Sequence, residues 1–275
     1  RTVDFGGGDV TSVGARDIFV LKLDSSGTFQ WVNTSGSTSD DSGREIAVDS
    51  SGNSYITGTI TGTVDFGGGN VTHAGSEDIF VLKLNSSGTF QWVNTYGDAN
   101  SNIGLSIATD SSGNSYVTGY FFGTVDFGGG DVTSAGRHDI FVLKLNSSGV
   151  FQWVTTYGST TKDSGMGITV DSYGDSYITG YFEGTVDFGG GNVTSAGSYD
   201  IFVLKLDSSG TFQWVNTYGY GGSDQGHGIT VDSSGNSYVT GIFDGAVDFG
   251  GGNVTSAGSY DIFVLTLNYS GTGIE

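Results

Sequence analysis

The chain of 275 residues has no cysteine, so neither disulfide bonds nor thiolate metal sites are available to it. Basic residues are scarce as well: 9 lysines and arginines face 29 acidic residues, which gives a net charge of -20. A charge of this sign repels phosphate backbones and anionic membrane surfaces, which argues against nucleic acid as a partner. No run approaches the roughly 18 apolar residues that a membrane-spanning helix needs, so no membrane insertion is expected.

Glutamate is rare relative to aspartate, and this difference argues against helices. Only Glu45, Glu77, Glu183 and Glu275 are present among the 29 acids. Aspartate favours turns, whereas glutamate favours helices. Since 36% of the residues are hydrophobic and 13% aromatic, the chain has enough apolar surface for a core. The composition therefore predicts a folded, all-β protein.

The chain is one array of 61-residue repeats. The tetrapeptide Thr-Val-Asp-Phe begins at Thr2 and returns at every sixty-first residue, the last time as Ala-Val-Asp-Phe from Ala246. We divide the single domain, 1–275, into repeats 2–62, 63–123, 124–184 and 185–245 and a half repeat 246–275. Strict spacing without insertions is typical of repeat architectures in which each unit packs on its neighbours.

Each repeat has short alternating apolar segments that predict four antiparallel strands. In one unit they are expected at 46–49, 54–58, 78–84 and 90–95, with tight turns at 49–53 and 85–88. The segment 63–77 contains three consecutive glycines and is predicted to be an excursion loop. The pattern favours a β-propeller of four-stranded antiparallel blades, with four to five blades and ring closure left open.

The fourth predicted strand carries a pair of aromatic residues in each complete unit, for example Phe90 and Trp92. Large aromatic side chains at period two on one face are typical of buried packing. We therefore expect these pairs to pack blade against blade, the alternative being an exposed platform that stacks on ligands.

Two runs resemble a known family. Gly-Ile-Thr-Val-Asp-Ser-Ser-Gly-Asn-Ser-Tyr-Val-Thr-Gly from Gly228 and Asp-Ile-Phe-Val-Leu-Lys-Leu-Asn-Ser-Ser-Gly from Asp139 are similar to the SBBP repeats of secreted bacterial and archaeal seven-bladed β-propellers. NHL repeats are more distantly similar. The resemblance implies a propeller fold and a location outside the cell or on its surface, and it implies no catalytic residue set. The units here are too few for seven blades.

No arrangement of residues predicts an active site. The three histidines, His73, His138 and His227, lie at non-equivalent positions of the repeat, so neither a metal cluster nor a Ser-His-Asp triad is expected. The triple glycine lacks the Lys-Ser/Thr of a phosphate-binding loop. We expect a protein that is not an enzyme and needs no cofactor, with calcium as the one candidate ion.

Two sets of aspartates recur thirteen residues apart around the triple glycine. The calcium candidates are Asp65, Asp78, Asp126, Asp139, Asp187 and Asp200. Carboxylates beside glycine carbonyls supply the oxygen ligands that calcium prefers. Aspartate at a strand end also caps nearby backbone N–H groups, and we favour this second interpretation.

Asn-x-Ser/Thr sequons occur seven times, and three of them lie in the predicted excursion loops. Asn70, Asn192 and Asn253 are the glycosylation candidates, provided that the producing organism glycosylates secreted proteins.

Two functional hypotheses follow. The third-strand motif occurs five times, at both Asp17 and Asp261 among others, whereas the other strand motifs occur four times. A surplus strand favours exchange between molecules, which predicts a structural protein that assembles head to tail into a filament.

The repeats differ most in sequence between the fourth strand and the next first strand. The alternative is therefore a monomeric binding module whose variable loop face takes a surface glycan or protein. Both hypotheses place the protein outside the cell or at the cell surface.

Overall fold

A computed structural model describes residues 1–268, and these residues form strands and turns without any helix. The chain starts with β1 (Thr2–Asp4), β2 (Asp9–Thr11), β3 (Ile18–Leu23) and β4 (Phe29–Ser35). It continues with β5 (Ser42–Val48), β6 (Ser54–Ile60), β7 (Thr63–Asp65), β8 (Asn70–Thr72), β9 (Asp78–Leu84) and β10 (Phe90–Tyr96). Next come β11 (Ile103–Thr109), β12 (Ser115–Phe121), β13 (Thr124–Asp126), β14 (Asp131–Thr133), β15 (Asp139–Leu145) and β16 (Phe151–Tyr157). Then follow β17 (Ser164–Val170), β18 (Ser176–Phe182), β19 (Thr185–Asp187), β20 (Asn192–Thr194), β21 (Asp200–Leu206) and β22 (Phe212–Tyr218). The last are β23 (Gln225–Val231), β24 (Ser237–Phe243), β25 (Ala246–Asp248), β26 (Asn253–Thr255) and β27 (Asp261–Leu267).

Three four-stranded antiparallel sheets repeat in tandem, as the sequence predicts for propeller blades. Blade I is β5-β6-β9-β10, blade II is β11-β12-β15-β16 and blade III is β17-β18-β21-β22. At the ends of the series the sheets are incomplete. The leading hairpin is β3-β4, and the terminal sheet is β23-β24-β27. The all-β fold of tandem four-stranded sheets is thus confirmed.

The blades stack so that their first strands lie side by side: β11 packs between β5 and β17, and β17 between β11 and β23. Each apolar core is shared by two successive sheets. Between blades I and II, for example, Ile79 and Val81 of β9 lie in one buried cluster with Ile107 of β11. Burial between neighbours, rather than within one sheet, is what stabilises a repeat array. The half repeat 246–275 extends beyond the described residues, so only its part up to residue 268 can be placed.

The segment predicted to be an excursion loop instead contains a small β-hairpin, here called the side hairpin. In blade I, β7 and β8 pair with each other, and the side chains of Val64 and Phe66 are buried in the core. The flanking glycines have φ values of 103° and 104°, which a tight turn of this kind requires. The middle one, Gly68, lies under the ring of Phe90, where an added Cβ would come within 2.3 Å of a ring carbon. The prediction of a loop was wrong because the glycines shape a turn and make room for an aromatic ring.

The first strand of each blade is longer than the sequence indicated. It begins at Ser42 in blade I, four residues before the predicted start, and pairs with β6 through a bulge between Gly43 and Glu45. The bulge interrupts the alternation of apolar and polar residues, so the sequence pattern hides the start of the strand.

The two aromatic residues of the fourth strand pack in different places. The indole of Trp92 donates a hydrogen bond from Nε1 to the carbonyl of Ser147 in the next blade, at 3.3 Å, and lies against Gly149 there. The ring of Phe90 packs on Gly67 and Gly68 of its own blade. The tryptophan therefore packs between blades as predicted, whereas the phenylalanine packs on a glycine turn of its own repeat and borders a core that neighbouring sheets share.

Candidate functional site

The aspartates before the triple glycine act locally. In blade I, Oδ1 of Asp65 accepts hydrogen bonds from the backbone N–H groups of Gly67 and Gly69, at 2.7 and 3.0 Å. Asp126 and Asp187 accept the equivalent pairs of bonds in the next two repeats. These bonds stabilise the carboxylate form and lower the pKa of Asp126. The geometry is that of a turn cap.

The aspartates at the start of the third strands are buried. Oδ2 of Asp78 accepts a hydrogen bond from the backbone of Ala74 at 2.8 Å, and Asp139 and Asp200 bind Ala135 and Ala196 in the same way. The Oδ1 atoms of these three residues are buried without a hydrogen-bond partner. Burial raises the pKa of each of the three carboxyl groups.

Within residues 1–268 no group of three or more His, Cys, Asp or Glu side chains is arranged to hold a metal ion. The calcium ligands proposed from the sequence fall into the two separate sets just described, one exposed and one buried. Calcium binding through these residues stays a prediction.

The histidines have separate surroundings. His73 lies 3.2 Å from the carbonyl of Gly62 through Nδ1, whereas Nε2 of His227 lies 3.3 Å from the amide oxygen of Gln225. His138 stacks on Tyr120 at 4.2 Å between ring centroids. The sequon residues Asn70, Asn192 and Asn253 each begin the second strand of a side hairpin and are exposed, and their glycosylation stays a prediction.

The variable connections form one face with the residues that precede the third strands. Isolated parallel bridges join the two sets, for example between His138 and Lys162 and between Tyr199 and Ser223. Aromatic side chains also lie on this face: the rings of Tyr181 and Tyr199 pack together, with 4.6 Å between their centroids. This variable face therefore combines aromatic and charged side chains that differ from blade to blade.

Beneath the variable connections lies a buried polar residue that is Asp41, Asn102, Asp163 or Asp224 according to the sheet. In blade III, Oδ1 of Asp163 accepts the N–H of Glu183 at 2.9 Å and Oδ2 accepts that of Ser159 at 2.7 Å. Burial raises the pKa of Asp163 to about 6, although these hydrogen bonds act against the shift.

This shift predicts a pH dependence of stability. A carboxyl group whose pKa is about 6 when folded and 3.8 when unfolded stabilises the fold most at low pH, and the contribution is lost as pH rises through 6.

In blade II the same place is taken by Asn102, whose amide donates to Asp98 at 3.1 Å. The double variant Ser159→Asp/Asp163→Asn copies that pair. We expect it to exceed the wild type in free energy of unfolding by up to about 3 kcal/mol at pH 7.5, and by little at pH 4. Urea unfolding at the two pH values measures this, and an equal difference at both would show that Asp163 does not titrate as described.

The junction between blades is built by a tyrosine, a lysine and a tryptophan, here called the junction triad. In blade I, Nζ of Lys83 lies 4.8 Å from the ring centroid of Tyr55, and Trp92 meets the same ring edge-on at 6.1 Å. The hydroxyl of Tyr55 donates to the carbonyl of Gly113 in blade II at 2.9 Å, and Lys83 donates to that of Ser147 at 2.8 Å. Blades II and III repeat the triad as Tyr116, Lys144 and Trp153 and as Tyr177, Lys205 and Trp214.

At the two ends of the stack, surfaces of this junction lie in solvent. On β27 of the terminal sheet, Ile262 is 82% exposed and Val264 is 77% exposed, whereas their counterparts in the three blades are buried. At the other end, Phe19 of β3 is 55% exposed and Ile46 of β5 is 48% exposed. An open groove of about 460 Å³ lies between β3 and β5. Among residues 1–268 the first and last faces of the array are therefore apolar and uncovered, and the sheets of this part of the chain do not close into a ring.

Sequence reasoning missed the junction triad and the groove. The triad was open to detection, because tyrosine, lysine and tryptophan each recur at the 61-residue period.

Comparisons with known proteins agree with this architecture. Two segments match the SBBP beta-propeller repeat, at residues 34–64 and 213–241. The chain is also 30% identical over 186 residues to an uncharacterized WD repeat-containing protein of Acanthamoeba polyphaga mimivirus. That match covers 59% of this chain and 13% of the viral protein, so the chain spans about an eighth of that relative's length.

The matches support a propeller-type repeat. Together with the fold they indicate a module for protein interaction or for structure, and they favour a non-catalytic scaffold. Among residues 1–268, none forms a helix of the length and apolarity needed to cross a membrane.

Proposed function

We propose that this chain is a non-enzymatic structural protein, located outside the cell or at its surface, whose copies associate end to end. The observation that carries the proposal is the pair of uncovered apolar faces at the two ends of the stack. Each face is a counterpart of a surface that is buried wherever two sheets meet inside the chain. Exposed patches of this kind mark interaction sites, because apolar area is removed from water when a partner covers them.

The two faces differ from each other, which sets the form of the association. The groove between β3 and β5 lies at the N-terminal end, and the face of β27 lies at the C-terminal end. A contact between unlike surfaces is heterologous, so it leaves one face of each kind free for the next copy. Such a contact produces a filament unless the rotation from copy to copy closes a ring.

The charge distribution supports specific contacts over clumping. The net charge of -20 makes unspecific approach of two copies unfavourable, and it is spread over exposed turns such as those of Asp65 and Asp126. Association then requires a surface whose apolar contacts exceed this repulsion. The location outside the cell rests on the resemblance of the repeats to those of secreted proteins.

A second candidate is the monomeric binding module. The stacked pair of Tyr120 and His138 and the neighbouring pair of Tyr181 and Tyr199 favour it, since aromatic rings beside charged groups suit a glycan or protein surface. This function would use the variable face and would leave the ends of the stack without a role.

Sedimentation velocity of the intact chain over a wide concentration range separates the two. End-to-end association predicts species that grow with concentration. The variant Ile46→Asp places a charge in the groove at a site already half exposed, so it should keep the fold and sediment as a monomer. If the wild-type chain stays monomeric at the highest concentration reached, the structural proposal fails and the binding module remains.

A further inference from the structure

We propose that the leading hairpin of one copy completes the terminal sheet of another copy by taking the place of β27. The result is a composite four-stranded blade, β23-β24 from one molecule and β3-β4 from the next. This inference rests on the proposed end-to-end association and specifies its mechanism.

The junction triad is divided between the two ends of the chain. In the terminal sheet Tyr238 occupies the tyrosine position, but its neighbour across the strands is Thr266, where every complete blade has lysine. At the other end Lys22 and Trp31 face each other on β3 and β4, and the hairpin has no second strand to supply a tyrosine. A composite blade would reunite Tyr238, Lys22 and Trp31.

The register of such a blade follows from the existing one. Strands β3 and β27 lie in the segments Asp-Ile-Phe-Val-Leu-Lys-Leu from Asp17 and Asp-Ile-Phe-Val-Leu-Thr-Leu from Asp261, which differ at a single position. In the terminal sheet Ser237 pairs with Leu267 and Tyr238 with Thr266. The equivalent pairs in the composite blade are Ser237 with Leu23 and Tyr238 with Lys22. The exchange therefore retains the backbone pairing.

The exchange also improves burial. In the separate molecule each of these strands is covered on one face only. Ile18 of β3 is buried against blade I while Phe19 is exposed, and on β27 Phe263 is buried while Ile262 is exposed. In the composite blade, β3 would be covered on both faces, and the displaced β27 loses only the one covered face that β3 gains. Strands β23 and β24 would in addition fill the groove over Ile46, which adds a complete interface between sheets.

The leading hairpin is already fixed to its own molecule. Nζ of Lys22 donates to the carbonyl of Ser86 in blade I at 2.7 Å, and Nε1 of Trp31 donates to the same atom at 3.4 Å. These are the bonds that Lys83 and Trp92 make to Ser147 one blade later. The hairpin thus holds the position of a third and fourth strand and lacks only the first two. The terminal sheet of a second copy has both of these strands and therefore fits the groove.

Crosslinking tests the exchange directly, because the chain has no cysteine of its own. One protein carries Ser237→Cys and a second carries Leu23→Cys, and the two are mixed and mildly oxidised. The composite register predicts a disulfide between the two proteins, seen as a dimer of one Ser237→Cys and one Leu23→Cys chain on a non-reducing gel. The two substituted residues are predicted to face each other across the composite blade, and neither belongs to the junction triad.

A matched variant prevents the strand exchange. Ser237→Cys/Leu267→Cys places both cysteines on strands that pair within one chain, so its disulfide locks β27 to β24. We expect the locked protein to sediment as a monomer and to recover wild-type association after reduction. If the locked and reduced forms associate equally, and the mixed proteins give no dimer, the exchange is wrong while end-to-end association stands.

A minimal change at the groove gives an independent readout. A Cβ on Gly104 would lie 2.2 Å from Oγ1 of Thr57 in the preceding blade. A Cβ on the equivalent Gly43 would make only ordinary contacts, with methyl groups of Ile18 at 3.4 Å and Ile56 at 3.9 Å. In the composite blade Thr240 of the other copy would occupy the place of Thr57. Gly43→Ala should therefore keep the wild-type melting temperature and weaken association at least tenfold. Unchanged association of this variant would overturn the proposal of a second copy. So would a double variant, Ser237→Cys/Leu23→Cys, that forms its disulfide within one chain and remains monomeric. A wild-type chain that never associates would instead contradict the proposed function itself.

Discussion

Replacing Phe127 with alanine should reduce the free energy of unfolding by about 3 to 5 kcal/mol, as the removal of a fully buried phenylalanine generally does. Phe127 follows β13 of a side hairpin and is 0% exposed. Its ring lies 5.6 Å from Tyr96 of blade I, 5.6 Å from Phe121 and 5.1 Å from Phe141 of blade II, measured between centroids. The residue therefore joins two blades, and the cavity left by alanine would have aromatic walls that cannot close together. Denaturant unfolding followed by fluorescence measures the loss.

The first repeat supplies a matched control. Phe5 has the same place in its repeat, but it is only partly buried and has one aromatic neighbour, Phe19, at 5.0 Å. Phe5→Ala should cost about 1 kcal/mol, since little area returns to water. Equal losses in the two variants would mean that the side hairpins contribute no more to the core than a surface turn does.

The side hairpin marks the limit of what the sequence pattern could predict about the fold. The 61-residue period identified the repeat, and the third strand was placed at its observed bounds, Asp78–Leu84. The alternation of apolar and polar residues is strong there because both faces of the strand are covered. The hairpin has only three residues in each strand and a glycine turn between them, which gives no periodicity to read.

For the ends of the chain, local sequence is not decisive. The segments around Asp17 and Asp261 are nearly identical, so sequence predicts that both form a third strand without saying which one pairs with β24. The structure gives that position to β27 and leaves β3 with β4 alone. The strand from Asp261 is therefore not surplus within its own chain, because it pairs with β24. The uncovered elements are the free edges and faces at both ends.

The calcium hypothesis shows a different limit. Asp65 and Asp78 belong to one connection in the sequence, and their spacing alone does not reveal that one caps an exposed turn while the other is buried at a strand end. The carboxyl group of Asp78 lies against Gly97, which comes after the next strand in the sequence. Such a difference between two carboxylates arises from tertiary packing and has no local signature.

Replacing Gly119 with alanine should destabilise blade II by about 3 kcal/mol, at the upper end of what overpacking usually costs. Gly119 lies in β12 opposite Gly104, next to the bulge that separates Gly104 from Ser106 in the partner strand. A Cβ at Gly119 would come within 2.0 Å of the carbonyl oxygen of Ile103 and 3.0 Å of the Phe141 ring. The nearer atom belongs to the backbone and cannot rotate away, so β11 must shift and lose hydrogen bonds to β12.

The loss should extend beyond blade II, because β11 lies between β5 and β17 and a shift of this strand disturbs both neighbouring junctions. Gly228→Ala is the control: it also changes a strand glycine next to a bulge, but its Cβ would meet only a methyl of Thr240 at 3.4 Å, an ordinary contact. We expect its free energy of unfolding to stay within about 0.5 kcal/mol of the wild type. Amide hydrogen exchange should show loss of protection in β11 and β17 for Gly119→Ala alone. Protection that falls only in β12 would mean that the strands respond independently, and the stack would then lack the coupling between blades that its shared cores imply.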